Sequence, residues 1–195
     1  MPELDFRAPR LYVDAPLREG ARIELERNQS NYLGNVLRLA AGDTILVFNG
    51  RDGEWQGQVE GRKRADSLTI AAQTRLQDRL PDIAYVFAPL KHARLDYMVQ
   101  KAVEMGASRL QPVLTRHTQV SRVNSERMRA NVIEAAEQCG ILSLAAVDEP
   151  VALDRYLAER PQDRLLVFCD EAAEMHSPLQ ALQQAARDAG RLFPL

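Results

Sequence analysis

Apolar residues alternate with polar ones in several short runs within the first 75 residues, which is the period of a half-buried β-strand. Turn signals separate the runs, and Asn49-Gly50 is typical of a tight hairpin. Residues 31–39 are the exception, because their apolar side chains fall on one helical face. Short strands with regular turns indicate a compact β-barrel. The predicted strands are residues 11–13, 21–25, 44–48, 54–59 and 68–72.

After residue 75, short apolar runs alternate with segments of helical spacing. Three of these segments end at Gly106, Gly140 and Gly190, as helices with a glycine C-cap do. Asn124 or Ser125 is suited to cap the start of the second. Such alternation predicts a parallel sheet with helices on both faces, and thus two domains, residues 1–75 and 76–195. The predicted strands of the second domain are residues 83–88, 110–114, 144–147 and 165–169, with another beginning at residue 192.

A parallel sheet of this kind binds ligands beyond the carboxyl ends of its strands. The segments in that position are residues 89–94, 115–119 and 169–171. The first contains Lys91 and Arg94, and the second contains Arg116 and His117. Arginine and lysine suit a polyanion, whereas His117 in such a loop fits a surface position equally well.

Charge is unevenly distributed along a chain whose formal net charge is −2. Residues 91–129 carry 8 basic and 3 acidic side chains, a net charge of +5. This segment is compatible with a surface that faces nucleic acid, and equally with a set of solvated arginines. The basic turn 62–64 has the same two interpretations.

Several classes of chemistry lack their motifs in this sequence. Glycine-rich loops for dinucleotides or ATP phosphates are absent, and the three histidines do not have metal-ligand spacing, so we expect no metal. The two cysteines, Cys139 and Cys169, form neither a disulfide framework nor a metal knuckle. Since there is also no apolar signal core and no apolar run of about 18 residues, we expect a reduced cytoplasmic setting.

The segment LKHARLDYMVQKAVEMGASRLQPVLTRHTQV (90–120), followed by EAAEQCG (134–140), resembles the ribosomal small-subunit methyltransferase E family. RLYV (10–13) and YLGNVLRLAAGD (32–43) resemble the amino-terminal part of the same family. Members methylate N3 of a uridine in 16S ribosomal RNA with S-adenosylmethionine. The matching residues are Lys91, Asp96, Gln100, Lys101, Glu104, Gly106, Pro112, Arg116 and 135–138.

The resemblance implies a PUA-like RNA-binding barrel in front of a SPOUT α/β domain with a trefoil knot, and a cytoplasmic homodimer acting on the small ribosomal subunit. The family's two cofactor loops should follow the strand that begins at Leu192, so the knot and the carboxyl-terminal part of the domain would be incomplete in these 195 residues. A non-catalytic RNA-binding fragment is therefore the alternative function. The family's arginine after AAEQ is also replaced, here by Gly140-Ile141.

Site residues follow from the resemblance and from the chemistry of the reaction. Negative charge develops on the uracil oxygens as N3 loses its proton, and arginine stabilises such charge with a fixed fork of donors. The expected catalytic residues are Arg94 and Arg116. The expected RNA-binding residues are Arg10, Arg38, Arg62, Lys63, Arg64, Lys91 and Lys101. The expected S-adenosylmethionine contacts are Cys169, Asp170, Glu171 and Leu195.

Overall fold

The computed structural model describes residues 8–61, 65–118, 120, 122–170, 172 and 177–188. The chain divides into two compact units, Met1–Leu153 and Asp154–Leu195. The predicted domain boundary near residue 75 lies inside the first unit and stays a prediction.

A five-stranded sheet occupies the amino-terminal part of the first unit, in the order β1-β3-β4-β5-β2. β1 runs parallel to β3, and the other neighbours are antiparallel. Register shifts near Trp55 interrupt the β4–β5 pairing, and such irregularities curl a sheet. The strands are β1 (Arg10–Tyr12), β2 (Arg22–Glu24), β3 (Thr44–Phe48), β4 (Glu54–Glu60) and β5 (Ser67–Arg75).

An apolar core lies on the inner side of this sheet, as the alternation of apolar and polar residues predicted. Leu33, Val47 and Leu68 are completely buried at its centre. Trp55 packs at the edge of this core, and its indole N–H donates a 2.9 Å hydrogen bond to the Asp52 carbonyl. Trp55 is therefore an anchor of the fold, since its polar atom is satisfied internally.

The helical interruption differs from the predicted helix at 31–39. Helix α1 spans Arg27–Asn31 and continues as a π-type turn, Tyr32–Val36. The Leu37 N–H bonds the Tyr32 carbonyl and the Leu39 N–H bonds the Leu33 carbonyl, both at 2.9 Å. These wide bonds end the helix with Arg38 at φ +58°, a left-handed conformation that is uncommon outside glycine.

A parallel sheet follows, as predicted. Its central strand β7 runs parallel to β6 on one side and to β8 and β9 on the other. Residues between β8 and β9 interrupt the second side, since Val147 pairs Leu110 and Val151 pairs Val113. The strands are β6 (Ala84–Phe87), β7 (Arg109–Leu114), β8 (Ala146–Val147) and β9 (Val151–Ala152).

Two helices, α2 (His92–Glu104) and α3 (Ser125–Cys139), pack against this sheet through one apolar core. Val99, Leu110 and Val132 are buried in it. Both ends of α3 are as predicted: the Asn124 side chain accepts the Arg127 N–H at 3.0 Å, and Gly140 is left-handed at φ +65°. These local signals therefore defined α3 correctly.

The second unit contains most of α4 (Leu153–Glu159) and all of α5 (Pro178–Asp188). The predicted strand at 165–169 is not formed, which corrects the expectation from sequence. Leu165, Val167 and Phe168 are instead exposed in irregular backbone. A strand needs a neighbour for its backbone N–H and C=O groups, and no described residue supplies one here.

Candidate nucleic-acid interface

The carboxyl edge of the parallel sheet is built by the ends of β6 and β7. Phe87, at the end of β6, pairs with Pro112, so the segments leaving both strands emerge at the same edge. Lys91 lies in the first of these segments and is the residue before α2. Arg94 lies in the first turn of α2, whereas the sequence placed it in the loop before the helix. Both side chains are exposed.

Arg116 lies in a closed turn directly after β7. The Thr115 N–H donates to the Thr118 hydroxyl at 2.8 Å, and the Thr118 N–H donates to the Thr115 carbonyl at 3.1 Å. The two hydroxyl oxygens are 3.0 Å apart. This turn holds Arg116 and His117 at its two central positions, where both are exposed. The backbone of the turn is thus fixed while the arginine side chain extends into solvent.

Carboxylates divide the basic segment 91–129 into two groups of cations. One group lies within 2.6–3.4 Å of a carboxylate oxygen and comprises Lys101, Arg109, Arg127 and Arg129. The other group forms no such ion pair among the described residues and comprises Lys91, Arg94, Arg116 and Arg122. The positive charge that remains unneutralised by neighbours is therefore concentrated at the carboxyl edge of the sheet, where a polyanion would meet it.

Lys101 differs from this edge group. Its ammonium lies 2.7 Å from Glu104 and 5.4 Å from the centre of the Tyr97 ring. The hydrogen bond to Glu104 raises the pKa of Lys101. Lys101 and Glu104 are three residues apart, a spacing that places both side chains on one face of α2. Lys101 is exposed, yet its charge is locally balanced.

Asp96 connects the two helices. One carboxylate oxygen accepts Arg127 Nε at 3.0 Å and Asn131 Nδ2 at 2.8 Å, and the other accepts Arg127 Nη2 at 2.6 Å. A bidentate arginine–carboxylate contact fixes geometry as well as charge. Asp96 therefore links α2 to α3, a contact that the sequence pattern did not reveal.

Arg10 does not occupy the surface position expected of an RNA contact. Its side chain is buried, with Nε 2.9 Å from Glu54 Oε2 and Nη1 3.2 Å from the Ala8 carbonyl. It also lies against Gly140, where an added Cβ would be 3.3 Å from its guanidinium carbon. Because the guanidinium is enclosed by protein on these sides, Arg10 joins the amino-terminal sheet to the end of α3, and we correct the RNA-binding expectation for it accordingly.

The amino-terminal sheet has a cavity of about 520 Å³ beside α1 and the π-type turn. Among the described residues that line this cavity, several have polar side chains and none is acidic. The lining includes Arg27, Asn31, Gly34, Asn35, Leu39 and Gly61. Arg38 follows the π-type turn, is exposed and has no ion-pair partner among the described residues. Asn31 and Asn35 were not among the predicted site residues, although their spacing of four places both amides on one helical face.

A second cavity, of about 470 Å³, lies between the sheet and α3. Its walls include Arg10, Tyr32, Glu134 and Glu137. The Tyr12 N–H donates to Glu137 at 2.8 Å, but burial outweighs this bond and raises the pKa of Glu137, with a smaller contribution from Glu134. Burial also raises the pKa of Tyr32, helped by both glutamates. Two carboxyl groups lie beside one arginine there, and that arginine already pairs with Glu54, so the cavity is poorly suited to phosphate.

The remaining expected site residues lie either outside the described parts of the chain or in the second unit. Arg62, Lys63, Arg64, Glu171 and Leu195 lie outside the described residues. Cys169 and Asp170 lie in the second unit and are exposed, with Asp170 accepting the Ala172 N–H at 3.0 Å. The described parts of the chain contain no cluster of metal-ligating side chains. Likewise, no helix within them is long and apolar enough to cross a membrane.

Comparisons with known proteins agree with this architecture. A family model described as "RNA methyltransferase PUA domain" matches residues 25–69, and one described as "RNA methyltransferase domain" matches residues 78–193. The ribosomal RNA small subunit methyltransferase E of Rickettsia conorii is 29% identical over 164 residues, which are 83% of this chain and 66% of the relative. That of Synechocystis is 28% identical over 163 residues, 82% of this chain and 53% of the relative. The chain thus spans about half to two thirds of these relatives.

Solved structures show the same fold. A methyltransferase from Legionella pneumophila in complex with S-adenosylmethionine is 25% identical, with a TM-score of 0.75 over 85% of this chain and 72% of that one. The ribosomal RNA small subunit methyltransferase E of Neisseria gonorrhoeae, also bound to S-adenosylmethionine, is 22% identical, with a TM-score of 0.70 over 95% of this chain and 87% of that one. The SPOUT-type fold with a PUA-like domain, which the sequence resemblance implied, is confirmed. Since the RNA methyltransferase model matches more than half of the chain, this protein belongs to the RNA methyltransferase domain family and carries that family's PUA domain in front.

Proposed function

We propose that this protein transfers a methyl group from S-adenosylmethionine to N3 of a uridine in 16S ribosomal RNA. The family supports methyl transfer to RNA, and the named relatives support the small-subunit ribosomal RNA as substrate. The observation that carries the proposal furthest is the group of unneutralised cations at the carboxyl edge of the parallel sheet, which is where such sheets bind ligands.

RNA binding rests on exposed cations that carboxylates do not already neutralise. Lys91 meets this condition at the sheet edge, and Arg38 meets it on the amino-terminal sheet. Each phosphate contact of this kind displaces counterions and contributes salt-dependent affinity. Lys101 stays in the proposal with a weaker contribution, because phosphate must compete with Glu104 for its ammonium. Arg62, Lys63 and Arg64 remain proposed contacts from sequence alone.

Catalysis is assigned to Arg94 and Arg116. When the N3–H proton leaves, negative charge spreads to the uracil O2 and O4 atoms. A guanidinium keeps its charge at neutral pH and donates two parallel hydrogen bonds, so it stabilises that charge and orients the ring. Arg116 is the stronger candidate, because its turn is closed by two backbone-linked bonds and therefore presents the side chain from a fixed base.

S-adenosylmethionine supplies an electrophilic methyl group when bound, so the protein needs no metal and no covalent nucleophile. The residues proposed to hold it are Cys169, Asp170, Glu171 and Leu195. Asp170 fits this role chemically, because an exposed carboxylate can accept hydrogen bonds from ribose hydroxyls while one of its oxygens orders the Ala172 N–H. We further propose a homodimer acting on the small ribosomal subunit in the cytoplasm, as the resemblance implies.

The test is methyl transfer from radiolabelled S-adenosylmethionine to 30S subunits, with the product nucleoside identified by mass spectrometry. Arg116→Ala should lower the rate by about 10²–10³-fold, the usual effect of removing one donor to a developing oxyanion. Arg129→Ala is the matched control, because Arg129 is also exposed but pairs with Glu149 at 3.4 Å. Equal rates for wild type and Arg116→Ala would remove Arg116 from the site, and a product other than 3-methyluridine would refute the proposed specificity.

A further inference from the structure

The cavity beside α1 has the size and composition of a ligand site. Its volume of about 520 Å³ lies within the range usual for small-molecule pockets, about 300–1,000 Å³. The wall combines the Arg27 guanidinium, the Asn31 and Asn35 amides and the apolar Leu39. A cation, paired amides and an apolar surface together suit a nucleotide, whose phosphate, base edge and base face need these three kinds of partner.

The two asparagines leave complementary groups available. Asn35 Nδ2 donates to Asn31 Oδ1 at 2.6 Å. The pair therefore retains the Asn35 carbonyl oxygen as an acceptor and the Asn31 amide N–H groups as donors. One donor beside one acceptor matches the hydrogen-bonding edge of an unpaired base.

The backbone around the cavity is unusual independently of its side chains. The π-type turn Tyr32–Val36 contributes Gly34 and Asn35 to the wall. It is followed by Arg38 in the left-handed conformation, at φ +58°. Single π-type turns and strained non-glycine residues concentrate at functional sites. An ordinary helix end with glycine at position 38 would close the same segment with less strain, so folding alone does not require this arrangement.

Charge distinguishes this cavity from the one between the sheet and α3. The cavity between the sheet and α3 includes Glu134 and Glu137 beside Arg10, whose charge Glu54 already balances. The described lining of the cavity beside α1 includes Arg27 and no carboxylate. The polyanion is therefore expected at the first cavity.

We propose that this cavity binds one unpaired RNA nucleotide outside the methylated uridine, with Asn31 and Asn35 contacting the base edge and Arg27 the phosphate. The inference rests on the proposed function, since it assigns a second recognition point on the same RNA. It makes the amino-terminal sheet a specificity element that selects RNA with a single-stranded nucleotide at a set distance from the target.

Gly34→Leu tests the cavity directly. Gly34 has an ordinary φ, and a Cβ added there meets no atom within 4 Å. Leucine is also a better helix former than glycine, so the variant should fold while its side chain occupies the space. The probe is a fluorescein-labelled single-stranded RNA at fixed salt, measured by anisotropy. The affinity of Gly34→Leu should fall by about tenfold, the scale of losing one well-placed base. Asn35→Ala, at an exposed position, provides a second variant with a loss in the same direction.

Arg27→Ala and Arg22→Ala form a matched pair for the phosphate contact. Both remove one positive charge from the amino-terminal part of the chain, but of the two only Arg27 lines the cavity. Arg22 instead faces Glu24 and Glu60. Arg27→Ala should weaken RNA binding several-fold more than Arg22→Ala. Equal losses would mean a general charge effect and would overturn the cavity as a site.

The outcomes separate the two proposals. If wild type binds RNA and neither Gly34→Leu nor Asn35→Ala changes the affinity, the cavity inference fails and the proposed function stands. If the cavity variants bind weakly and raise KM for 30S methylation at unchanged kcat, the inference is supported. If wild type does not bind the RNA at all, both proposals fail together. Circular dichroism of each variant verifies that the loss of binding occurs in folded protein.

Discussion

Arg10 and Glu54 form an ion pair, 2.9 Å from Nε to Oε2, in which both side chains are almost entirely buried. Glu54 also accepts two hydrogen bonds from Arg75, at 3.0 and 2.8 Å, and one from Thr74 at 2.9 Å. Arg75 in turn donates to the Gly140 carbonyl at 2.8 Å. This chain of contacts connects the curled sheet to the end of α3. Burial raises the pKa of Glu54, but the bonds from Arg75, Thr74 and Arg10 together lower it below its ordinary value.

Glu54→Gln should destabilise the protein strongly. The substitution leaves two arginines beside a neutral amide, and an uncompensated buried charge costs about 3–5 kcal/mol. Urea unfolding at neutral pH measures the loss. Glu24→Gln is the control, because Glu24 pairs with Arg22 at an exposed position and such pairs contribute about 0–1 kcal/mol. A loss of the same small size for Glu54→Gln would show that the buried network does not stabilise the fold.

Gly140→Ala should cost more than Gly20→Ala. Both glycines have positive φ, +65° and +75°, so alanine is strained at each by about 1–2 kcal/mol. At Gly140 the new Cβ would also lie 3.3 Å from two guanidinium atoms of Arg10, whereas at Gly20 it meets no atom within 4 Å. The extra loss of unfolding free energy in Gly140→Ala, compared with Gly20→Ala, therefore measures how tightly Arg10 packs against position 140. Equal losses would contradict the tight contact at Gly140.

Arg38→Gly should separate stability from RNA binding. Glycine adopts φ +58° without strain, so the free energy of unfolding should stay constant or rise by up to about 1 kcal/mol. RNA affinity should fall, and the salt dependence of binding should weaken by about one phosphate contact. Arg38→Ala keeps the strain and removes the same charge, so it should lose affinity without gaining stability. A stable Arg38→Gly variant with wild-type affinity would exclude Arg38 from the RNA surface.

Glu137→Gln should change how stability depends on pH. Burial raises the pKa of Glu137, so the folded state holds a proton that the unfolded state has released once the pH exceeds the ordinary value of 4.5. This carboxyl therefore destabilises the fold progressively as pH rises from 4.5 through its folded pKa. Glutamine removes the effect and can still accept the Tyr12 N–H. The stability of Glu137→Gln relative to wild type should thus increase with pH over that interval.

Thermal unfolding between pH 4 and pH 7 measures this difference. Glu19→Gln, at an exposed loop position, should keep the pH dependence of the wild type. A constant difference between Glu137→Gln and wild type across the interval would show that Glu137 ionises alike in the folded and unfolded states.

Local patterns predicted those parts of the fold that depend on neighbours in the chain. The Asn124 cap and the Gly140 end of α3 involve residues within one helical turn, so sequence spacing locates them. The strands around the Asn49-Gly50 turn follow the same logic, because a hairpin pairs residues that are close in sequence. The cationic loops after β6 and β7 were also predicted, since topology places the ends of parallel strands at one edge.

Long-range partners decided what each charged side chain does. Arg10 and Arg116 are both basic residues beside apolar runs, yet Arg10 is neutralised by Glu54, 44 residues away, and Arg116 has no ion-pair partner among the described residues. Similarly, the apolar run 165–168 has strand composition but no described partner strand. The sequence by itself determined the periodicity, the ends of α3 and the family pattern, because these are local in the chain. Only the tertiary structure decided which cations stay available for RNA and where a cavity forms, because burial and ion pairing depend on residues brought together from distant positions.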